Sequence, residues 1–141
     1  METSVLRKRL ADTIEVAKRT AAARRGRADD AARAYAQFLD VIAIPLVKQV
    51  QNILKASGYN FTVFTPSGTV RLASDRNAED YIELSLDTSG EEPMVIGHSV
   101  RARGRRVIEN ERAIAELSVA HLTEEHVLEY LLKELVPFVE R

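Results

Sequence analysis

The run from Asp29 to Ser57 constrains the fold more than any other part of this chain. Its apolar residues recur every three or four positions, which places them on one stripe of an α-helix; they are Tyr35, Phe38, Leu39, Ile42, Leu46, Val50, Ile53 and Leu54. Asp29 or Asp30 suits the start of such a helix, and Ser57-Gly58 suits its end, because glycine tolerates the left-handed conformation that closes many helices. We therefore predict one long helix over this run.

Pro45 lies inside the predicted helix. Proline lacks a backbone N–H and its ring clashes with the preceding turn, at a cost of roughly 3 kcal/mol in a helix interior. Since the apolar stripe continues beyond Pro45, we expect a kink or a short break just before the proline rather than the end of the helix.

Residues 4–25 form a second stretch with a helical repeat. Its apolar stripe is narrow and fades into alanine; it comprises Leu6, Leu10, Ile14, Ala17 and Ala21. So few apolar side chains cannot bury much surface alone, which predicts either a frayed arm or one member of an alanine-lined helix pair. Gly26 marks a joint with the main helix, although a single glycine also permits one continuous rod. We divide the chain into a basic helical arm or extension at 1–27 and a single α+β domain at 28–141.

After Gly58 the repeat changes from helical to alternating, which is typical of β-strands. The pattern predicts a hairpin of residues 60–64 and 69–73, a polar connection at 75–80, and strands at 81–87 and 94–103. Connections this short require antiparallel pairing. Residues 105–118 suit either a strand or a helix, and the pattern favours a fifth strand after Gly104.

The last helix is predicted from Thr123 onwards, where Glu124 and Glu125 complement the positive end of a helix dipole. Its apolar stripe comprises Val127, Leu128, Leu131, Leu132, Leu135 and Val136. The predicted fold class is therefore α+β, with a long N-terminal helix kinked near Pro45, an antiparallel meander of four or five strands, and a C-terminal helix packed on the sheet.

Composition restricts the class of protein. The 141 residues are 45% hydrophobic and 29% charged, which is enough for one core. The chain has no cysteine, which excludes disulfides and thiolate metal sites and fits a reducing compartment. It has no run of roughly 20 apolar residues, and its basic start lacks the apolar segment of a signal peptide. We expect a cytoplasmic protein without a membrane partner.

The net charge of −1 hides an uneven distribution. Residues 1–28 carry eight basic and three acidic side chains, whereas residues 110–141 carry three basic and seven acidic ones. Such asymmetry occurs in proteins with an arm for nucleic acid or membranes. It also arises where the two ends lie beside each other, within one chain or between two chains, and we favour this second interpretation.

Candidates for catalysis or metal binding are few. His121 and His126 fall on different sides of a helix, and His98 shares a strand face with apolar residues, so partly buried, hydrogen-bonded histidine is its expected state. No nucleophile has an adjacent base, and no glycine-rich phosphate loop occurs. We expect no catalytic residue, no metal and no cofactor. A pocket assembled from distant residues between the sheet and the helices stays open as an alternative.

The stretch VRARGRRV, residues 100–107, gathers four guanidinium groups. Arg101 and Arg103 project from one side of the predicted strand, and Arg105 and Arg106 follow Gly104. Such a cluster can bind phosphates or a carboxylate-rich partner, because guanidinium bonds both in bidentate fashion. Alternatively, nearby acids neutralise the arginines across the sheet; the candidates are Glu83, Asp87, Glu109 and Glu111. No aromatic residue interleaves the arginines to stack on single-stranded bases.

Our leading hypothesis for function is a non-enzymatic, homo-oligomeric binding or scaffolding protein, expected to be a dimer. The long helix would be its assembly surface, through Leu10, Ile14, Tyr35, Leu39, Ile42 and Leu46. One alternative is a nucleic-acid-associated protein that uses the basic helix at 7–27 together with the arginines at 101–106. The other is a small-ligand carrier or enzyme. The sequence also allows a different protein as the partner.

Overall fold

The computed structural model describes residues 1–140, and a single helical rod dominates it. The rod consists of helix α1 (Thr3–Phe38), a π-helical turn (Leu39–Ala43) and helix α2 (Ile44–Ala56). The prediction of a helix start at Asp29 or Asp30 is wrong, because alanine-rich sequence on both sides of Gly26 keeps the backbone helical. Asp30 forms an ion pair with Arg33 one turn later instead of capping a helix. Of the two arrangements that the sequence permits at Gly26, the continuous rod is present.

The π-helical turn lies just before Pro45, where the sequence predicts a kink or a short break. The backbone N–H of Ile44 donates to the carbonyl of Leu39, five residues earlier, instead of to the carbonyl four residues earlier. This wider turn accommodates the ring of Pro45, which would clash with a regular preceding turn. The predicted distortion is confirmed, and its physical form is one π-helical turn that leaves the helix unbroken.

The end of α2 follows the sequence prediction. Gly58 has a φ of +90°, its N–H donates to the carbonyl of Lys55 at 3.1 Å, and the N–H of Tyr59 donates to that of Leu54 at 2.8 Å. These two bonds form a Schellman motif, which satisfies carbonyls at the end of a helix and needs a residue that tolerates positive φ.

Five antiparallel strands follow in the order of the chain, each paired with the next. They are β1 (Phe61–Phe64), β2 (Val70–Ser74), β3 (Asn77–Asp87), β4 (Met94–Arg103) and β5 (Arg106–Ala113). The fifth strand is confirmed. The polar connection predicted at 75–80 is shorter than expected, because β3 already begins at Asn77. Asp80 is buried within that strand, where its carboxylate accepts the N–H of Ala102 at 2.7 Å.

Two helices pack on one face of the sheet. Helix α2 lies over β1 and β2, and helix α3 (Glu124–Val139) lies beside α2 and over β4. The largest fully buried apolar side chains come from the strands and α3; they are Val70, Leu72, Ile82, Leu84, Val95, Val127, Tyr130 and Leu131. This arrangement is the predicted α+β fold. No helix within residues 1–140 has an apolar stretch long enough to cross a bilayer.

Candidate functional site

The first part of α1 stands clear of the rest of the molecule. Every residue from 1 to 20 is exposed, and contact with the domain begins near Arg27, whose Nε donates to the carbonyl of Glu91 at 3.3 Å. Before that point the helix makes bonds only with itself, such as the ion pair between Glu15 and Arg19 at 3.5 Å. We call residues 3–26 the arm. At about 1.5 Å per residue it extends roughly 36 Å.

The arm carries exposed apolar side chains on one side. Leu6, Leu10 and Ile14 are 46%, 54% and 52% exposed, and Ala17 and Ala21 continue the same line towards the domain. We call these five residues the arm stripe. A single helix without tertiary packing is only marginally stable in water, and a line of exposed leucine and isoleucine gains free energy when a partner covers it. The arm stripe is therefore the first candidate for a binding surface.

The structure divides the six residues predicted for the oligomer interface into two groups. Leu10 and Ile14 are exposed on the arm, whereas the other four lie where the long helix meets the sheet. Tyr35, Leu39 and Leu46 are buried in the chain's own core, and Ile42 is half-buried against that core. A second molecule can thus cover Leu10 and Ile14 fully, but it cannot reach most of the surface of the buried three.

Tyr35 is fixed by hydrogen bonds as well as by packing. Its hydroxyl donates to the carbonyl of Gly68 at 2.7 Å and lies 3.3 Å from that of Leu84. Burial raises the pKa of the Tyr35 phenol, and the Glu83 carboxylate raises it further. The side chain therefore stays neutral and holds α1 on the sheet.

A groove runs along α1 and the π-helical turn between Arg27 and Ile42, on the side that faces the single turn of 3₁₀-helix Val119–His121. It comprises two successive cavities of about 260 and 200 Å³. Its floor and walls are mostly small or apolar; they include Ala31, Ala34, Phe38, Val41, Ile42 and Val119. Val41 is 65% exposed there. We call this feature the α1 groove, and it is a second surface able to bind an apolar partner.

The four predicted arginines meet at one end of the sheet. Arg103 pairs with Arg106 across a two-residue turn, in which Gly104 has a φ of +64°. Arg101 and Arg103 also line a cavity of about 370 Å³ that reaches Pro137 and Glu140 at the end of α3. The structure therefore brings the four guanidinium groups to one hairpin, as the sequence predicts.

Three of the four acids that could neutralise these arginines are engaged elsewhere. Glu83 forms an ion pair with Arg71 at 2.5 Å, and Glu109 lies 3.1 Å from Nε2 of His98. Asp87 accepts hydrogen bonds from the hydroxyl and the N–H of Ser89, and these bonds lower the pKa of its carboxyl. No ion pair joins any of the four arginines to another residue among 1–140.

The three histidines have local structural partners. His98 contacts Glu109 and packs edge-on against Tyr81, with ring centroids 5.9 Å apart. His126 accepts the N–H of Thr123 at 2.9 Å and so closes the first turn of α3, while Nδ1 of His121 lies 2.6 Å from the hydroxyl of Ser118. Within residues 1–140, no three acidic or histidine side chains are grouped so that they could hold a metal ion.

Sequence reasoning missed a buried polar cluster between α3 and the sheet. The carboxylate of Glu134 accepts hydrogen bonds from the hydroxyl of Ser99 at 3.1 Å and from Nε of Arg112 at 3.2 Å, and Nη2 of Arg112 lies 3.1 Å from it. Asn110 completes the cluster, with its amide nitrogen 3.5 Å from the carboxylate. One signal could have found it, because Glu134 occupies a position of α3 between Leu131 and Phe138 on the buried side.

Tyr130 packs beside this cluster and against the backbone of Gly97. The guanidinium of Arg112 lies 4.8 Å from the centre of its ring, and its hydroxyl is buried without a hydrogen-bond partner among the described residues. Burial raises the pKa of the Tyr130 phenol, Glu134 adds to the shift, and Arg112 opposes it. A Cβ on Gly97 would lie 2.0 Å from the ring, so the close approach depends on glycine. With Glu134 bonded to Ser99 on β4 and to Arg112 on β5, the geometry of the cluster is that of a structural lock between α3 and the sheet.

A comparison of the chain with family models, with curated proteins and with solved structures finds no match. Three surfaces of the protein are therefore candidates for function: the arm stripe, the α1 groove and the hairpin that carries Arg101, Arg103, Arg105 and Arg106, which we call the arginine hairpin.

Proposed function

We propose that this protein is a non-enzymatic, homo-oligomeric binding or scaffolding protein that assembles through its long helix. The observation that carries the proposal is the arm itself, a helix of about 36 Å that exposes Leu6, Leu10 and Ile14 and touches nothing else in the described chain. A helix built in this way gains its stability from whatever covers its apolar line. We also place the protein in the cytoplasm, since the chain has no cysteine.

A partner that is another copy of the chain explains the distribution of charge. The arm is strongly basic and the C-terminal part of the chain is acidic, so two copies attract each other whenever the arm of one approaches the domain of the other. The arm does not make this contact within its own chain, because it is the first part of the continuous helix α1 and residues 1–20 are all exposed.

We expect Leu10→Asp with Ile14→Asp to convert the oligomer to monomer. Each substitution removes an apolar side chain whose full burial in the interface is worth up to about 1.5–3 kcal/mol and places a charge there instead, so affinity should fall by at least about a hundredfold. Size-exclusion chromatography with light scattering measures the mass, which should drop from a multiple of 15.8 kDa to 15.8 kDa itself.

The matched control is Val5→Asp with Val16→Asp, which makes the same chemical change on the other side of the same helix. Val16 is 60% exposed and follows Ile14 by two positions, which turns it about 200° around the axis. The control should keep the mass of the wild type. A wild type that is already a monomer, or an unchanged mass in the Leu10 and Ile14 variant, would refute the proposal.

The second candidate function is binding of a polyanion at the arginine hairpin. It is favoured by the absence of ion pairs from Arg101, Arg103, Arg105 and Arg106 to the described residues and by the exposure of the last three. Guanidinium groups that are not neutralised within the chain are available to phosphate or carboxylate. The basic residues of the arm would add to such a surface if the ligand were a nucleic acid.

We expect Arg101→Glu with Arg103→Glu to weaken binding of a short labelled DNA duplex at least tenfold, measured by fluorescence anisotropy at low salt. Wild-type affinity should fall steeply with salt, because each neutralised phosphate contributes a slope of about −0.9 in log K against log salt. The matched control is Lys48→Glu with Lys55→Glu, which makes the same charge change on exposed positions of α2. Equal losses in both variants, or no wild-type binding, would remove this candidate.

A further inference from the structure

The arm stripe and the α1 groove have the same length. From Leu6 to Ala21 the stripe covers sixteen residues, and from Arg27 to Ile42 the groove does too, which is about 22 Å between the end residues in each case. One surface is a ridge of apolar side chains and the other is a furrow with an apolar lining. They lie on the same straight helix, so neither can cover the other within one molecule.

We propose that two copies of this chain exchange arms, with the arm of each copy lying antiparallel in the α1 groove of the other. This inference rests on the proposed function and names the surface that the arm would occupy. The arrangement is a closed dimer with two-fold symmetry, because the same pair of surfaces meets twice. The two arms would cross at Arg24, which stands level with Arg24 of the partner copy, and the alanines at 21 to 23 beside it leave room for the helix backbones to approach closely.

One register of the antiparallel helices matches the side chains by size. When Ile14 stands level with Ala34 of the partner copy, Leu10 stands level with Phe38 of the partner copy and Leu6 with Ile42 of the partner copy. All three groove residues line its cavities, and Ala17 meets Ala31 of the partner copy on the same line. The largest arm residues therefore reach the larger cavity, and the small ones cross where the helices are closest.

Charge supports the same register. In it, Lys18 of the arm stands level with Asp30 of the partner copy, at the wall of the smaller cavity, where Glu92 also lies. A shift by one helical turn in one direction places Asp12 level with Asp40, and a shift of three residues in the other places Glu15 level with Asp30. Both shifts bring like charges together, which is unfavourable.

Pairing of two arms with each other is disfavoured by charge. Arg7, Lys18 and Arg25 all flank one edge of the arm stripe, so two arms placed face to face would bring basic edges together. The α1 groove instead offers two acids, Asp30 and Glu92, against one base, Arg27. The arm stripe is therefore covered better by the α1 groove of a second copy than by the arm of a second copy.

Disulfide trapping tests the register, because the natural chain has no cysteine. We expect the variant with Ile14→Cys and Ala34→Cys to form a covalent dimer on mild oxidation, since a disulfide requires Cα atoms within about 7 Å. The two positions are about 30 Å apart along one helix, so the bond can form only between copies. A second pair, Ala17→Cys with Ala31→Cys, keeps the test valid if the first variant folds poorly. Non-reducing electrophoresis reads the result.

Three controls separate the outcomes. Val16→Cys with Ala34→Cys should give no covalent dimer, and neither should Ile14→Cys alone, which would cross-link if the arms paired in parallel. Ile14→Cys with Leu132→Cys tests the outer side of α3, where Leu132 is 58% exposed, as the occupied surface. A non-covalent dimer that fails to cross-link at both designed pairs, or that cross-links to position 132, overturns arm exchange but leaves assembly through the arm intact. A monomer overturns both.

Discussion

Replacing Gly97 by alanine should destabilise the domain by about 3 kcal/mol, at the upper end of the usual cost of overpacking a core. The new Cβ would lie 2.0 Å from Cζ of Tyr130, well inside van der Waals contact. Tyr130 cannot move aside easily, because its ring is buried between α3 and β4. Urea unfolding followed by circular dichroism, at a fixed protein concentration, measures the free energy of unfolding.

Gly90→Ala is the matched control for this change. A Cβ at Gly90 meets nothing closer than 4.0 Å, so the variant should unfold within about 0.5 kcal/mol of the wild type. Adding Tyr130→Leu to the Gly97 variant should recover part of the lost free energy, because it removes the ring that clashes. Equal stability of the Gly97 and Gly90 variants would show that Tyr130 does not press on this strand.

Removing the Glu134 carboxylate should cost about 3 kcal/mol of the free energy of unfolding. Glu134→Ala leaves Arg112 without its acidic partner and leaves the hydroxyl of Ser99 without an acceptor, and losing one member of a buried ion pair usually costs 3–5 kcal/mol. The lower end applies here, because the Arg112 side chain is 37% exposed and water can solvate it. Thermal or urea unfolding measures the loss.

The control on the same helix is Glu129→Ala, an exposed position whose loss should change the free energy of unfolding by no more than about 0.5 kcal/mol. The double variant Glu134→Leu with Arg112→Met should recover most of the stability, because an apolar pair can replace a buried ion pair at little cost. If Glu134→Ala unfolds like Glu129→Ala, the cluster does not lock α3 on the sheet.

The periodicity of the apolar residues was sufficient to predict most of the fold. Alternation placed Ile82 and Leu84 on the buried face of a strand, and the three-to-four repeat placed Leu46 and Leu131 on buried helix faces. The start of the long helix was mispredicted, because Asp29 and Asp30 look like caps although alanine on both sides already favours helix. The ends of strands were also uncertain, since Asp80 reads as a surface residue while its buried carboxylate bonds to the backbone of the neighbouring strand.

The candidate sites were predictable only where they are local in sequence. The four arginines of the hairpin and the stripe with Leu10 and Ile14 follow from neighbouring residues on one element. The α1 groove does not, because it forms where α1 meets a turn of 3₁₀-helix about eighty residues later in the chain. The sequence also did not show which apolar residues of the long helix lie on the arm and which lie in the core, since Ile14 and Tyr35 occupy equivalent positions in the repeat. Only the position of the sheet decides which of them is buried.

The π-helical turn before Pro45 takes up one extra residue without turning the arm. A π-helical turn holds one residue more than the α-helical turn it replaces, but both complete one full rotation about the axis. Loss of a single residue such as Val41 would therefore let the rod become regular while the arm kept nearly the same orientation relative to α2 and the sheet. One residue more or less at this turn changes the length of the chain between arm and sheet, but not the neighbour that the leucines of the arm stripe can meet.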